Sequence, residues 1–235
     1  MKLRVINNLL PSDPNENLAI EEALNNVQIN TSIIRFWVTK PSVILGRFDK
    51  VDEEVNIEFC LDNGIIISRR HSGGGTVYHD EGNLNISLTI PRANYLDISM
   101  CYKVLGWLLT RFINSLGVKT IYLNSNSLLI NHKKVSGMAA SLTKHSLHCH
   151  STLLVSSDLA MLRHALKRLK SEVTNLSDEV GRVVTLSYTY SEIVDILKNS
   201  FSTDIIIDSL SDYEMKLANN LYLNKYSRDY WTYKI

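Results

Sequence analysis

The stretch Ile65-Ile66-Ile67-Ser68-Arg69-Arg70-His71-Ser72-Gly73-Gly74-Gly75-Thr76-Val77-Tyr78-His79-Asp80-Glu81-Gly82-Asn83-Leu84-Asn85 carries more information than any other part of the chain. Ile65–Ser68 is an apolar, β-branched run and reads as a buried strand. Over Leu84–Ile90, residues Leu84, Ile86, Leu88 and Ile90 fall on one face of a second strand. Three consecutive glycines between two strands are costly in conformational entropy, so something must offset that cost. Glycine lets the backbone approach a ligand closely and turn successive N–H groups toward an anion. Arg70 adds a charged fork suited to a phosphate or carboxylate. The loop is not a dinucleotide fingerprint, lacking G-x-G-x-x-G, nor a P-loop, since no Gly-Lys-Ser/Thr follows. A glycine-rich hairpin with incidental charges is the plain alternative. It leaves the paired arginines before the glycines and the His-Asp-x-Gly-Asn after them without a reason. The loop is expected to bind an anionic ligand.

Upstream, Lys2–Ile6 alternates as a half-buried strand, and Ser12-Asp13-Pro14 supplies a helix cap with proline at the first helical position. Leu18, Ala19, Ala23 and Leu24 form the apolar stripe of that helix. Ile33–Val38 and Val43–Leu45 read as strands around a Lys40-Pro41-Ser42 turn, and Asp52–Leu61 as one short helix ending at Asn63-Gly64. Downstream, a long helix is predicted over Ile98–Leu116, stopped by Gly117. Strands follow at Thr120–Leu123, Leu128–Asn131 and Thr152–Ser156, and helices at Leu159–Leu169, Ser191–Phe201 and Asp212–Tyr222. Many short strands with interspersed helices indicate an α+β fold with a mixed, mostly antiparallel sheet. Residues 1–235 read as one domain, with a small helical lobe after about Lys170.

Hydrophobic residues make up 45% of the chain and charged residues 21%, values of a globule with a sizeable core. Lys+Arg 25 against Asp+Glu 24 leaves a net charge of +1, which gives no support for broad nucleic-acid binding. No apolar run of about 20 residues suggests a membrane span, and Met1–Asn8 is no signal peptide, so a cytoplasmic protein is expected. Cys60, Cys101 and Cys149 are an odd, scattered set without C-x-x-C. The expectation is no disulfide framework, no structural zinc and a reducing compartment.

A second segment, Asn126 to Ala140, carries Lys134 at a strand boundary, followed by small residues at 136, 137 and 139. A lysine so placed can direct its ammonium at a phosphate, although most lysines are solvated surface charges. In His148-Cys149-His150 the strand period puts both histidines on one face and Cys149 on the other. Zinc would need further ligands and no partner cluster is evident, so no metal site is assigned. Nothing in the sequence marks Cys149 as an activated thiol.

Together these segments resemble the lipoate–protein ligase branch of the biotin/lipoate protein ligase family. Asn17-Leu18-Ala19-Ile20-Glu21-Glu22 is similar to its first-helix signature and Ile44–Phe48 to its early strand-loop. Arg69–Asn83 matches the Arg-Arg-x-Ser-Gly-Gly-Gly-x-Val-x-His-Asp-x-Gly-Asn block. Lys134-Val135-Ser136-Gly137 with Ala139 matches Lys-(Ile/Val)-Ser-Gly-x-Ala, His150–Leu154 stands at His-Gly-Thr-Leu-Leu, and Val173–Leu176 is another family signature. The resemblance implies the fold of that family's catalytic domain and a two-step reaction. Lipoate attacks the α-phosphorus of ATP to give lipoyl-AMP, and a lysine of an acceptor protein then takes the lipoyl group. By the same resemblance Lys134 is the catalytic lysine. Arg70, Ser72 and the Gly73, Gly74 and Gly75 backbone hold the acyl-phosphate and lipoyl tail. Val77, His79 and Asn83 lie along the adenylate; Asn126, Ser136, Gly137, Ala139 and His150 complete the walls. Mg2+ is the implied companion of ATP.

The implied acceptors are lipoyl domains of 2-oxoacid dehydrogenase complexes or a glycine-cleavage H-type protein. The family's accessory C-terminal domain is expected to be absent, with a separate small protein supplying it. Three positions depart from the family pattern: Asp49 for Gln, Ser127 for Asp, and Ser151 for Gly. Two other readings compete. One is an ATP-independent octanoyl or lipoyl transferase, for which Cys149 is the only thiol expected near the pocket. The other is a non-catalytic lipoyl-binding module.

Overall fold

The computed structural model describes residues 2–93, 97–123, 126–200 and 204–234. Its strands are β1 (Lys2–Ser12), β2 (Ser32–Thr39), β3 (Ser42–Leu45), β4 (Ile66–Arg69), β5 (Val77–His79), β6 (Asn83–Pro91), β7 (Ile121–Leu123), β8 (Ser127–Ile130), β9 (Lys133–Leu142), β10 (Ser146–Leu154) and β11 (Asp204–Asp208). The helices are α1 (Pro14–Asn26), α2 (Val51–Glu54), α3 (Ile57–Asp62), α4 (Ile98–Ser115), α5 (Leu159–Ala165), α6 (Leu176–Val180), α7 (Leu186–Ser200), α8 (Asp212–Leu221) and α9 (Asp229–Thr232), with a π-turn at Tyr222–Tyr226.

Eight strands form one sheet in the order β11-β1-β2-β6-β10-β9-β8-β7, and β4-β3-β5 form a second. Among the described residues of the large sheet, only β11–β1 and β1–β2 are parallel. The other neighbours run antiparallel, so the mixed, mostly antiparallel architecture expected from the sequence holds.

The alternation in β2, β6 and β10 sorts side chains onto two buried faces. Ile34, Phe36 and Val38, Leu84, Ile86 and Leu88, and Leu147, Cys149 and Leu153 share one core with Leu105, Leu109 and Phe112 of α4 and Ile193 and Leu197 of α7. Burying a side chain of this size stabilises the fold by about 1.5–3 kcal/mol, so this face fixes the register. The other face meets α1, whose Asp13 cap accepts from the amides of Asn15 and Glu16. There the same strands present Arg35, Trp37, Asn85, Ser87, Thr89 and His148, all buried.

Several boundaries differ from the sequence reading. The helix predicted over Asp52–Leu61 is two, because Val55 bridges Leu166 and the Asn56 amide donates to Ala165 O, extending the chain there. Asn56 then caps α3 through the Phe59 amide. The same bridge ends α5 at Ala165 rather than at 169. The strand predicted at Thr152 begins at Ser146. β9 was not predicted, since Gly137 and its small neighbours weaken strand propensity, nor was β11, a largely exposed edge strand. Helix α7 starts at Leu186, and position 201, where it was predicted to end, lies outside the described residues. No helix among the described residues is long and apolar enough to cross a membrane.

Cysteine usage also departs from expectation. Cys101 of α4 and Cys149 of β10, 48 residues apart, form a disulfide with Cα atoms 6.2 Å apart. The strand period turns Cys149 away from the histidine face and into the core, where the buried stripe of α4 places Cys101 opposite it. Counting and local spacing carry no information on such a long-range pair. Cys60 is free and buried.

Candidate active site

On the polar face, Glu21 of α1 is fully buried beneath the sheet. Its Oε1 accepts from Arg35 Nη1 at 3.1 Å and Ser87 Oγ at 2.7 Å. Its Oε2 lies 3.0 Å from His148 Nε2 and 3.5 Å from His150 Nδ1. Strand register makes this meeting unavoidable, because Arg35 pairs with Ser87, Ser87 with His150 and Thr89 with His148. Burial works to raise the Glu21 pKa, but His148, His150 and Arg35 outweigh it and hold the carboxyl well below its ordinary value. Glu21 is a partner for the two histidines that the sequence did not reveal, since ligand atoms of Glu21, His148 and His150 lie within 4.8 Å of one another; the hydrogen bonds to Glu21 and the adjacent Arg35 guanidinium work against a cation there.

From His150 the network continues to the glycine loop, His150 Nε2 lying 3.0 Å from Ser72 Oγ. Arg70 Nε donates to Ser72 Oγ at 3.1 Å, its Nη2 to the carbonyls of Gly73 at 2.7 Å and Gly75 at 2.9 Å, and its Nη1 to Ile44 O. Gly74 sits at φ 88°, a left-handed conformation that favours glycine. The Arg70 fork, which in sequence reads as aimed at the anion, therefore braces the loop carbonyls. Burial lowers this guanidinium to about 10. Asp49, one of the departures from the family pattern, fastens the loop from outside by accepting from Thr76 Oγ1 at 2.7 Å and the Gly46 amide at 3.2 Å. Arg69 anchors its base to the carbonyls of Gly46, Asp49 and Thr232.

A cavity of about 300 Å³ opens between this loop and β9. Gly74, Gly75, Val77 and His79 line it, as do Asn126, Lys134, Ser136, Gly137, Ala139 and His150; Arg70 also reaches its wall. These eleven candidates, drawn from two distant sequence blocks, thus share one cavity. Ser72, Gly73 and Asn83 do not line it: Ser72 braces the wall from behind, and from β6 it is Asn85 that faces the cavity. Residues not singled out from the sequence also line it, among them Trp37, Thr152 and Lys170. Asn85 could have been found from the two-residue period running through Asn83. Lys170 had no local signal, arriving by way of a bridge between Val173 and Lys134.

Lys134 sits beside a β-bulge. Leu128 pairs with Ser136 but Leu129 with Lys134, so Val135 is an extra residue, and bulges of this kind re-aim neighbouring side chains. A Cβ added to Gly137 would lie 2.7 Å from Lys134 Nζ, so the ammonium occupies the space the glycine leaves. Burial, then Lys170 and Arg70, lower the Lys134 pKa below its usual value. Among the described residues no carboxylate pairs with Lys134. Several buried polar atoms without partners belong to residues lining the cavity, namely Trp37 Nε1, both His79 ring nitrogens, Asn85 Nδ2 and Ser136 Oγ, while others on Arg69, His71, Asn83 and Ser157 lie outside its lining. Burial and the Arg70 charge push His79 down to about 3. Buried polar groups are normally paired, so this concentration of unpaired ones marks a site completed by a polar ligand.

A mixed sheet carrying a glycine-walled cavity with an unpaired, half-buried lysine defines an enzyme that handles an anionic substrate. The lipoyl protein ligase A/B catalytic domain family matches residues 13–202. The chain is 30% identical to lipoate-protein ligase A subunit 1 of Thermoplasma acidophilum over 94% of its own length and 92% of that protein. A crystal structure of lipoate-protein ligase A bound with ATP superposes with a TM-score of 0.91 at 28% identity, covering 99% of each chain. A T. acidophilum protein solved with lipoic acid gives 0.90 at 28% identity, over 99% of this chain and all of that one. A bi-partite lipoate protein ligase from the same organism, described with its E2 lipoyl domain, gives 0.88 at 27% identity over 99% of this chain and 95% of that one. This chain belongs to the lipoyl protein ligase A/B catalytic domain family.

Proposed function

We infer that this protein is an ATP-dependent lipoate–protein ligase. It activates lipoate as lipoyl-AMP with release of pyrophosphate, then transfers the lipoyl group to a lysine of an acceptor lipoyl domain with release of AMP. The observation that carries the reading is the unpaired Lys134 ammonium, held over Gly137 in the same cavity as Gly74 and Gly75. A fixed positive charge there stabilises negative charge as it grows on the α-phosphate in the first step and on the carbonyl oxygen in the second. Because the charge is preset in a largely buried site, little reorganisation is needed during reaction. Lys134 itself is not acylated. Gly74, Gly75 and the brace of Arg70 and Ser72 shape the wall for the acyl-phosphate; Val77, His79, Asn126, Ser136, Ala139 and His150 surround the bound adenylate. The likeness to proteins solved with ATP and with lipoic acid supports both substrates.

Among the described residues Glu54 is the only carboxylate lining the cavity. Mg2+ therefore fits as an ion carried by the ATP phosphates, with no cage of protein ligands, and its chemistry would be to neutralise the triphosphate. The cavity draws residues from Leu18 to Val173, which supports treating 1–235 as one catalytic unit. The acceptors proposed are lipoyl domains of 2-oxoacid dehydrogenase complexes or an H-type carrier. The bi-partite archaeal ligase supports a separate accessory chain as second partner. The cytosol, where ATP is available, is the proposed compartment, with the Cys101–Cys149 bond shielded from reductants by its full burial in the core. The geometry does not favour a thiol-based transferase, since Cys149 is bonded in the core and does not line the cavity, although the chain is also 26% identical to octanoyltransferase LipM of Clostridioides difficile over 93% of its length.

The test is pyrophosphate release from ATP and lipoate, with and without an accessory chain, followed by mass analysis of an added lipoyl domain. Lipoate-dependent release and a lipoyl mass increment are expected. Acceptor modification without ATP, or no ATP consumption with every component present, would sink the reading.

A further inference from the structure

Arg168 and Lys170 add two further cations to the cavity lining; Arg168 pairs with Glu53 at 3.4 Å, whereas Lys170 has no ion pair among the described residues. Lys170 lies in the segment after α5, which is pinned at both ends. On one side the Lys167 amide donates to Glu54 O at 2.9 Å and Lys167 Nζ to Asp52 O at 2.8 Å. On the other, Lys134 N donates to Glu172 O at 2.8 Å, and Thr174 N to Lys134 O at 3.0 Å. Residues 168–171 thus span from α2 to the strand that carries Lys134, and Lys170 from this span lines the cavity. Its Nζ would lie 3.0 Å from a Cβ on Gly75, so the ammonium rests against the glycine turn.

Lys170 is solvent-exposed, whereas Lys134 is largely covered, so the two mark the mouth and the depth of one cavity. Neither forms an ion pair among the described residues. Two unpaired ammonium groups facing one cavity repel each other unless a polyanion lies between them. The adenylate intermediate carries a single phosphate, enough for one of them; ATP carries three.

Resting on the ligase reading, we propose that Lys170, held against Gly75 at the cavity mouth, binds the departing β- and γ-phosphates of ATP. It is a phosphate-binding residue for adenylation and has no partner in the transfer of the lipoyl group to lysine. In that first step the lipoate oxygen bonds to the α-phosphorus, the α–β bridging P–O bond breaks, and its electron pair leaves with pyrophosphate. Lys170 balances the charge that accumulates on that leaving group.

Lys170→Ala and Lys170→Arg separate the two steps, with the accessory chain added wherever the parent protein requires it. Pyrophosphate release from ATP and lipoate reads the first step; lipoylation of an acceptor domain from preformed lipoyl-AMP reads the second. Titration with inorganic pyrophosphate reads binding without any turnover. In Lys170→Ala, kcat/KM for ATP should fall at least about tenfold and pyrophosphate should bind at least about tenfold more weakly. Transfer from lipoyl-AMP should fall less than about threefold, and Lys170→Arg should recover most of the loss. Equal losses in both steps, or unchanged pyrophosphate affinity, would overturn the role of Lys170. If the parent protein transfers from lipoyl-AMP yet never releases pyrophosphate from ATP, the adenylation reading itself fails and this role with it.

Discussion

Two groups of charged residues lie close together in this protein and are treated in opposite ways. Around Glu21 every charge has a partner inside the fold: Arg35 and Ser87 on one oxygen, His148 on the other, and Thr89 on the far nitrogen of His148. Around the cavity, Lys134 and Lys170 have no ion-pair partner among the described residues, and Trp37, His79, Asn85 and Ser136 keep unpaired polar atoms. A buried charge that is fully paired holds parts of the fold together; one left unpaired beside a cavity awaits a ligand. His150 stands between the groups, facing Glu21 with one nitrogen and bonded to Ser72 of the loop wall with the other. The inner cluster thus positions the outer one.

That contrast can be broken most directly at Glu21. Glu21→Ala leaves the Arg35 guanidinium, 1% exposed, without its counter-charge. A loss of about 3–5 kcal/mol of stability is expected in chemical denaturation. A variant with parent-like stability would show that the inner cluster is not structural. Lys134→Ala should do the reverse. Lipoyl-AMP formation is expected to drop roughly 10²–10³-fold with little change in melting temperature, because no protein group loses a partner. A large drop in melting temperature would place Lys134 among the structural charges.

A pH titration of stability sharpens the same division. His79 is buried and neutral, with its folded pKa lowered to about 3 from an unfolded value of 6.5. Below pH 6.5 the unfolded chain binds a proton that the folded one refuses. Stability therefore declines as pH falls through the window from 6.5 toward 3, by about 2 kcal/mol from this residue at pH 5. His79→Gln, neutral throughout, should flatten that part of the curve, and an unchanged slope would remove His79 from the account. Gly137→Ala is the mildest change. Its methyl lies where Lys134 Nζ now rests, so the flexible lysine end must shift, and roughly a tenfold loss of adenylation is expected with stability nearly intact. Full activity would mean that the ammonium position is not critical.

Much of the outer site was legible beforehand. Three glycines beside an arginine, and a lysine followed by small residues, are local signals that need no knowledge of the fold, and both blocks line the cavity. The division of labour within them was not legible. Arg70 reads as an anion fork in sequence, yet its donors are taken by the carbonyls of Ile44, Gly73 and Gly75. Ser72 reads as a contact and serves as a brace, and Asn85 faces the cavity in place of Asn83.

The sequence by itself determined most of the strands and helices, the glycine turn and the lysine followed by small residues, because each depends on spacing or on the stereochemistry of a few adjacent residues. Tertiary structure alone decided that Glu21 would meet Arg35, His148 and His150, that Cys101 would bond to Cys149, and that Lys170 would reach Gly75. Those meetings depend on which strands become neighbours and in what register. That outcome is set by apolar burial summed over the whole sheet, which no short window of residues contains.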